Sequence, residues 1–262
     1  MDFNTSVNSL RYLLFSRHGR GHGIHSPYAY KLISELFRNK IDPEIVSIIE
    51  NIRKVNLSDK KLIEVLDLGA GSLRMKTNFR RVSDITKYSS VPHKYGIILY
   101  NTAARFGSSG IVELGTSFGI STIYLAMGSP GATVHTIEGC PRCAEIAEEN
   151  FVRAKLSNID MMNGSFDEMI PRVMNLPEKP GVVFIDGNHR KEPLLKYFNM
   201  LAGNMADESV LIIDDINLSD EMRSAWKEIS MSSNVSFTID INRMGMAFFK
   251  KGTAHINYII RY

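Results

Sequence analysis

The chain has 262 residues, 44% of them hydrophobic, and 31 basic against 28 acidic residues give a formal charge of +3. That length can bury one sizeable core, and so even a charge balance creates no electrostatic demand for a polyanionic partner such as nucleic acid. No apolar run reaches the length of a membrane span, and the N-terminus Met1-Asp-Phe-Asn-Thr5 lacks a basic stretch followed by an apolar signal core, so a soluble, cytoplasmic protein is expected.

The first notable segment, His18-Gly-Arg-Gly-His-Gly-Ile-His-Ser-Pro27, places three of the seven histidines within eight positions. Without helical spacing it reads as a loop fixed by histidine hydrogen bonds or a lid, with a part in substrate binding as the alternative. Leu32, Ile33, Leu36 and Phe37 share one face and predict a helix over 28–37. A second begins at Asp42-Pro43, a capping acid followed by a proline in the first turn, with Ile45, Ile48, Ile49 and Ile52 as its stripe. Residues 65–72, Val-Leu-Asp-Leu-Gly-Ala-Gly-Ser, resemble a strand and a glycine loop. The basic stretch up to Arg81 follows, not an apolar helix, so a turn or a lid facing the site competes with a ligand loop. A helical pattern over 93–106 stops at Gly107 and Ser108-Ser109-Gly110.

Beyond Gly110 strands and helices alternate: strands at 111–114, 132–137, 159–162, 181–185 and 209–213, helices from 121, at 142–155, 166–173, 192–201 and 219–230. Such alternation predicts a parallel, doubly wound sheet. Trp226, Met222 and Ile229 are expected to face its core. Residues 235–241 and 244–249 then read as two strands separated only by Asn242-Arg243, too little for a crossover, so they must pair antiparallel. The two cysteines, Cys140-Pro-Arg-Cys143, read as small residues opening a helix, since a zinc site needs two more ligands and only His135 is near.

Chemistry concentrates at strand ends. Ile111-Val-Glu-Leu-Gly-Thr-Ser-Phe-Gly-Ile-Ser121 is a strand, a glycine-punctuated turn and a helix start: Gly115 and Gly119 allow sharp turning and close approach of a ligand, and Ser121 and Thr122 can cap the helix. Glu138, 25 residues after Glu113, ends the next strand, where nucleotide-binding α/β sheets hold ribose hydroxyls. Asp186 ends the fourth strand, and Asp214 and Asp215 end the fifth. Three carboxylates converging on one crevice repel each other unless a cation sits among them, and their oxygens suit Mg²⁺; capping of the following turns is the alternative.

The Glu113-Leu-Gly-Thr-Ser-Phe-Gly119 motif, the acid at 138 and the antiparallel close of the sheet resemble the class I S-adenosylmethionine-dependent methyltransferases. The 28-residue spacing from Asp186 to Asp214 is similar to the metal-dependent catechol and caffeoyl-CoA type O-methyltransferases. This resemblance implies a Rossmann-like, doubly wound seven-stranded sheet with an antiparallel C-terminal hairpin, over residues 93–262, behind an N-terminal helical or lid region, 1–92. It implies S-adenosylmethionine held by Glu113, Gly115, Thr116, Ser117, Gly119, Ser121, Glu138, Ser165, Phe166 and Asp186, and Mg²⁺ held by Asp186, Asp214 and Asp215. His189 stands where that family has a catalytic Lys, and Asp215 where it has an Asn. With Asp186, His189 is the candidate for catalysis, since a histidine can take up a proton near neutral pH. The expected activity is methylation of a small-molecule oxygen, in a chain that contacts neither membrane nor nucleic acid and admits a homodimer. Two alternatives remain: a metal-independent methyltransferase acting on nitrogen or on RNA recognised through Arg74 to Arg81, and a non-catalytic cofactor-binding or interaction protein.

Overall fold

Serine and aspartate caps start the helices where the sequence places them. In the computed structural model, which describes residues 17, 18, 24, 26–69, 71, 77–252 and 255–262, Ser26 accepts the Ala29 N–H at the start of α1 (Pro27–Arg38). Asp42 accepts the Glu44 N–H at the start of α2 (Pro43–Ser58). In each, a proline occupies the first turn, where no N–H is needed. α1 packs against α4 (His93–Phe106), and Leu32, Ile33 and Leu36 of α1 with Ile49 and Ile52 of α2 join one core with the main sheet.

That sheet is built from β4 (Ile111–Leu114), β5 (Val134–Glu138), β6 (Ile159–Asn163), β7 (Val182–Ile185) and β8 (Ser209–Ile213), all parallel, with β9 (Phe237–Asp240) and β10 (Gly245–Phe249) closing it as an antiparallel hairpin. These are the seven expected strands. The sheet extends further: β11 (Ile256–Arg261) pairs parallel with β9, and β1 (Arg17–His18) pairs parallel with β11. The order is β1-β11-β9-β10-β8-β7-β4-β5-β6. The rest of the histidine-rich segment, 19–23 and 25, lies outside the described residues.

Side chains alternate across the strands and feed two cores. Ile111, Val134, Val182, Phe184, Val210 and Ile212 face α1, α2, α4, α5 (Ile120–Gly128) and α6 (Pro141–Arg153). Val112, Val183, Ile185, Leu211 and Ile213 face α7 (Phe166–Met174), α8 (Lys191–Ala202) and α9 (Asp220–Ser230), with Trp226, Met222 and Ile229 buried as expected. Among the described residues no helix is long and apolar enough to cross a membrane.

An excursion before the main sheet carries elements the sequence did not announce: β2 (Leu62–Glu64) and β3 (Phe79–Arg81), an antiparallel pair, and α3 (Val82–Ser89). Ile63, Val65, Val82 and Ile85 form a third cluster with Phe118, Cys140 and Cys143. This cluster fastens the excursion over the carboxyl ends of the strands.

The central strand order places the site. The chain runs outward from β4 through β5 to β6, then returns to β7 on the other side of β4. The loops after β4 and β7 therefore diverge and leave a crevice at the switch point.

Candidate active site

A cleft of about 970 Å³ opens at that switch point. Gly115, Thr116 and Ser117 line it from the loop after β4, Ser121 from the first turn of α5, Glu138 from β5, Ser165 and Phe166 from the start of α7, and Asp186, His189 and Asp215 from beyond the ends of β7 and β8. Residues 65–69 and 71, with Arg80, line it from the excursion. Gly69 and Gly71 thus face the site from a covering segment. Arg80 is tied to Asp67 at 2.9 Å, while Arg74 lies outside the described residues. Glu113, Gly119 and Asp214, expected among the binding residues, do not line the cleft.

The glycines serve the protein's own packing. Gly115, at φ 105°, lies so close to the turn after β7 that an added Cβ would be 2.2 Å from the Asp186 carbonyl oxygen. Gly119, at φ 75°, is the N-cap of α5, and a Cβ there would meet the Phe151 ring at 2.3 Å. Ser121 and Thr122 do not cap this helix, because the helix begins one residue earlier than expected. Thr122 instead donates to Glu113.

Glu113 is fully buried. Its Oε2 accepts from Thr122 Oγ1 at 2.5 Å and from Thr136 Oγ1 at 2.6 Å, while Oε1 has no partner among the described residues. Burial pushes its pKa up to about 7 against the pull of the hydroxyl hydrogen bonds. Glu138 is fixed differently: Ser117 N–H donates to Oε2 at 2.7 Å and Cys140 N–H to Oε1 at 2.8 Å. Burial is again the largest influence and raises it to about 7.

Three residues of the site occupy the left-handed region without being glycine: Ser117 at φ 49°, Asn188 at 51° and Asp215 at 53°. Each follows a sheet strand's carboxyl end, where strain is tolerated only when surrounding contacts hold it. Asn188 is held by donation to Tyr197 Oη, and Tyr197 meets Phe166 edge-on at 5.5 Å.

The carboxylates meet a cation that the sequence reading missed. Arg243 donates through Nε to Asp214 Oδ1 at 2.8 Å and through its terminal nitrogen to Oδ2 at 2.6 Å, with Nε 3.6 Å from Asp215 Oδ1. Asp214 is fully buried under this fork. Burial opposes the guanidinium charge, but the hydrogen bonds and charges of the carboxylates outweigh it and hold the Arg243 pKa above its usual value. Asp186 sits 3.7 Å from His189 Nε2, and burial, then the neighbouring Asp214 and Asp215, raise its pKa well above the carboxylate range. Of the expected Mg²⁺ ligands Asp186, Asp214 and Asp215, two face the Arg243 guanidinium. Both Asp214 oxygens are engaged by the Arg243 guanidinium, whose charge opposes a second cation there, and among the described residues no three His, Cys, Asp or Glu side chains are grouped as a metal site. The residues as placed do not fit a divalent cation.

A register argument could have found Arg243. With Gly245 opposite Ile213 in the β8–β10 pair, the hairpin turn must lie beside residues 214–216, and the Ile216 N–H indeed donates to the Arg243 carbonyl. The cysteine pair opens α6 as expected, with Cys140 as N-cap and Pro141 in the first turn. Cys140 does more than pack: its sulfur accepts the Leu66 N–H at 3.3 Å, and the Cys143 thiol hydrogen bond lowers its pKa to about 5. His135 is tied to Asp160 at 2.9 Å, across from β5 to β6.

Residues 112–216 match a protein family described as "methyltransferase domain". A catechol O-methyltransferase of Niastella koreensis is 28% identical over 130 residues, 48% of this chain and 58% of that protein. One of Mycobacterium tuberculosis is 29% identical over 129 residues, 48% of this chain and 57% of that protein. The matches span less than three fifths of these curated relatives. An O-methyltransferase from Bacillus cereus solved in complex with SAH superposes with a TM-score of 0.56 at 21% identity, covering 85% of this chain and 97% of that one. TomG from Streptomyces achromogenes, an O-methyltransferase solved with SAM, gives 0.56 at 18% identity over 85% and 96%. At these identities the two structures establish the shared fold.

Proposed function

We propose that this chain, a class I methyltransferase by its 112–216 domain and its sheet, transfers a methyl group from S-adenosylmethionine to an oxygen of a small-molecule acceptor. The observation that carries this reading is a fixed Glu138 carboxylate in the same cleft as the Asp186–His189 pair. The donor set suits the cofactor. A carboxylate has about four lone-pair positions, and the Ser117 and Cys140 N–H groups use two, which leaves a matching pair for two vicinal ribose hydroxyls. Phe166 offers a ring face to the purine, and the Ser165 hydroxyl, engaged with Glu168, fixes the turn that carries it. When bound, the cofactor supplies a methyl group activated by its sulfonium centre.

The chain's own residues do the rest. His189 accepts the proton that the acceptor hydroxyl gives up, and the Asp186 carboxyl stands 3.7 Å from its Nε2. The positive-φ turns at Ser117, Asn188 and Asp215 hold the cleft walls in place, so positioning and charge compensation supply most of the acceleration. Metal assistance is no part of this reading, because Arg243 already engages Asp214.

The test has two arms. Calorimetry with S-adenosylhomocysteine should give binding that Glu138→Gln weakens, and labelled methyl groups should pass to hydroxyl compounds in a panel that also holds amines and transfer RNA. Binding without transfer to any of them would favour a cofactor-binding protein. Label found only in amines or RNA would overturn the oxygen assignment.

A further inference from the structure

We propose that Arg243 is a built-in cation that takes the place of a divalent metal in this site, so that the acceptor is bound by hydrogen bonds to a single hydroxyl and not by chelation of two neighbouring oxygens. The inference rests on the methyl-transfer reading and assigns the electrostatics of the same cleft.

Topology fixes the guanidinium before any ligand arrives. The β10 register brings the 242–243 turn against the end of β8, and four hydrogen bonds hold that turn: Ile216 N–H to the Arg243 carbonyl at 3.0 Å, Arg243 N–H to the Ile241 carbonyl at 2.9 Å, Asn217 Nδ2 to the Asn242 carbonyl at 2.7 Å, and Asn242 N–H to Asp240 Oδ1 at 2.7 Å. The planar fork then meets both Asp214 oxygens, a geometry that lysine or a hydrated ion cannot reproduce. A hard cation at this position would need those same oxygens. Freeing them would leave a three-quarters-enclosed guanidinium facing the ion with its partner removed, a strongly unfavourable exchange.

The guanidinium also reaches the substrate side. Arg243 lines the cleft, stands 5.6 Å over the Tyr95 ring, and has five N–H donors of which the fork uses two. The others suit one acceptor oxygen as it loses its proton to His189. A metal offers open coordination positions that select for vicinal diols; a guanidinium offers directional donors and makes no such selection. The expected substrates are monohydroxylic compounds such as simple phenols, with catechols methylated no better.

Mn²⁺ uptake by the full-length protein with S-adenosylhomocysteine present, followed by the electron paramagnetic resonance signal of free Mn²⁺, tests this without turnover. The wild type should take up no Mn²⁺ at millimolar concentration, and its methyl transfer to a phenol should change by less than about twofold with a chelator. Arg243→Met frees Asp214 and should tighten Mn²⁺ binding roughly tenfold or more. Uptake by the wild type that Asp214→Asn abolishes would overturn the proposal, as would turnover lost to a chelator and restored by Mg²⁺, or a folded Arg243→Met protein that still ignores Mn²⁺. The wild-type arms decide even if that variant does not fold. Absence of S-adenosylhomocysteine binding by calorimetry would instead refute the methyltransferase reading and leave the Mn²⁺ result to be read on its own.

Discussion

Replacing Glu113 by glutamine should make the protein more stable above neutral pH while leaving it nearly unchanged in mild acid. The carboxyl group is fully buried, one oxygen is served by two threonine hydroxyls, and burial moves its pKa from 4.5 to about 7. The folded state therefore holds this proton more tightly than the unfolded chain does. Stability from the group is fully present below pH 4.5 and is lost as pH rises through about 7. A shift of about 2.5 units at 1.36 kcal/mol each corresponds to about 3 kcal/mol. Glutamine is neutral throughout and keeps the oxygen that accepts from Thr122 and Thr136. Urea denaturation at a series of pH values should show the variant gaining about 3 kcal/mol on the wild type between about pH 5 and 8.5, or roughly 6–12 °C in Tm. A stability difference that stays flat over this range would show that Glu113 is not the buried acid described here.

Glu138 titrates in the same range but acts on binding. On the proposed reading ribose hydroxyls donate to the ionised carboxylate, so S-adenosylhomocysteine affinity by calorimetry should rise with pH through about 7, and Glu138→Gln should cost roughly 1–3 kcal/mol of binding and flatten that dependence. His189→Ala should lower turnover by about 10²- to 10⁴-fold with unchanged cofactor affinity, measured by labelled methyl transfer and calorimetry. Gly115→Ala should lower thermal stability by roughly 3 kcal/mol or more, since its methyl would meet the Asp186 carbonyl at a φ of 105°, and a melt within a degree of the wild type would contradict that contact.

The central sheet was legible because its signals are local. Val182-Val-Phe-Ile185 and Val210-Leu-Ile-Ile213 are runs buried on both faces, and Ser26, Asp42-Pro43 and the Ser165–Glu168 capping box mark helix starts within four residues. The excursion was hidden because β2 and β3 have three residues each, with exposed Leu62 and Phe79 that blur alternation. Ile256-Asn-Tyr-Ile-Ile-Arg261 breaks its own period of two, so β11 did not declare itself. At the site, the strand-end acids could be read, but their partners could not. Thr136 reaches Glu113 from 23 residues away and Arg243 reaches Asp214 from 29, distances that only strand pairing closes. The strand-end acids pointed to Mg²⁺, whereas the cation engaging Asp214 is Arg243.

The contact between Gly115 and the carbonyl of Asp186 joins the two halves of the cleft mechanically. Leu114 O receives the Asp186 N–H at 2.9 Å in the same place, so the loop that would cradle the methyl donor and the turn that carries His189 share one backbone junction. A displacement on either side is transmitted to the other without passing through any ligand. Kinetic defects caused by loop substitutions at 115–117 will therefore register in proton transfer as well as in donor affinity, and variants chosen to dissect the two steps must be placed outside this junction if their effects are to be told apart.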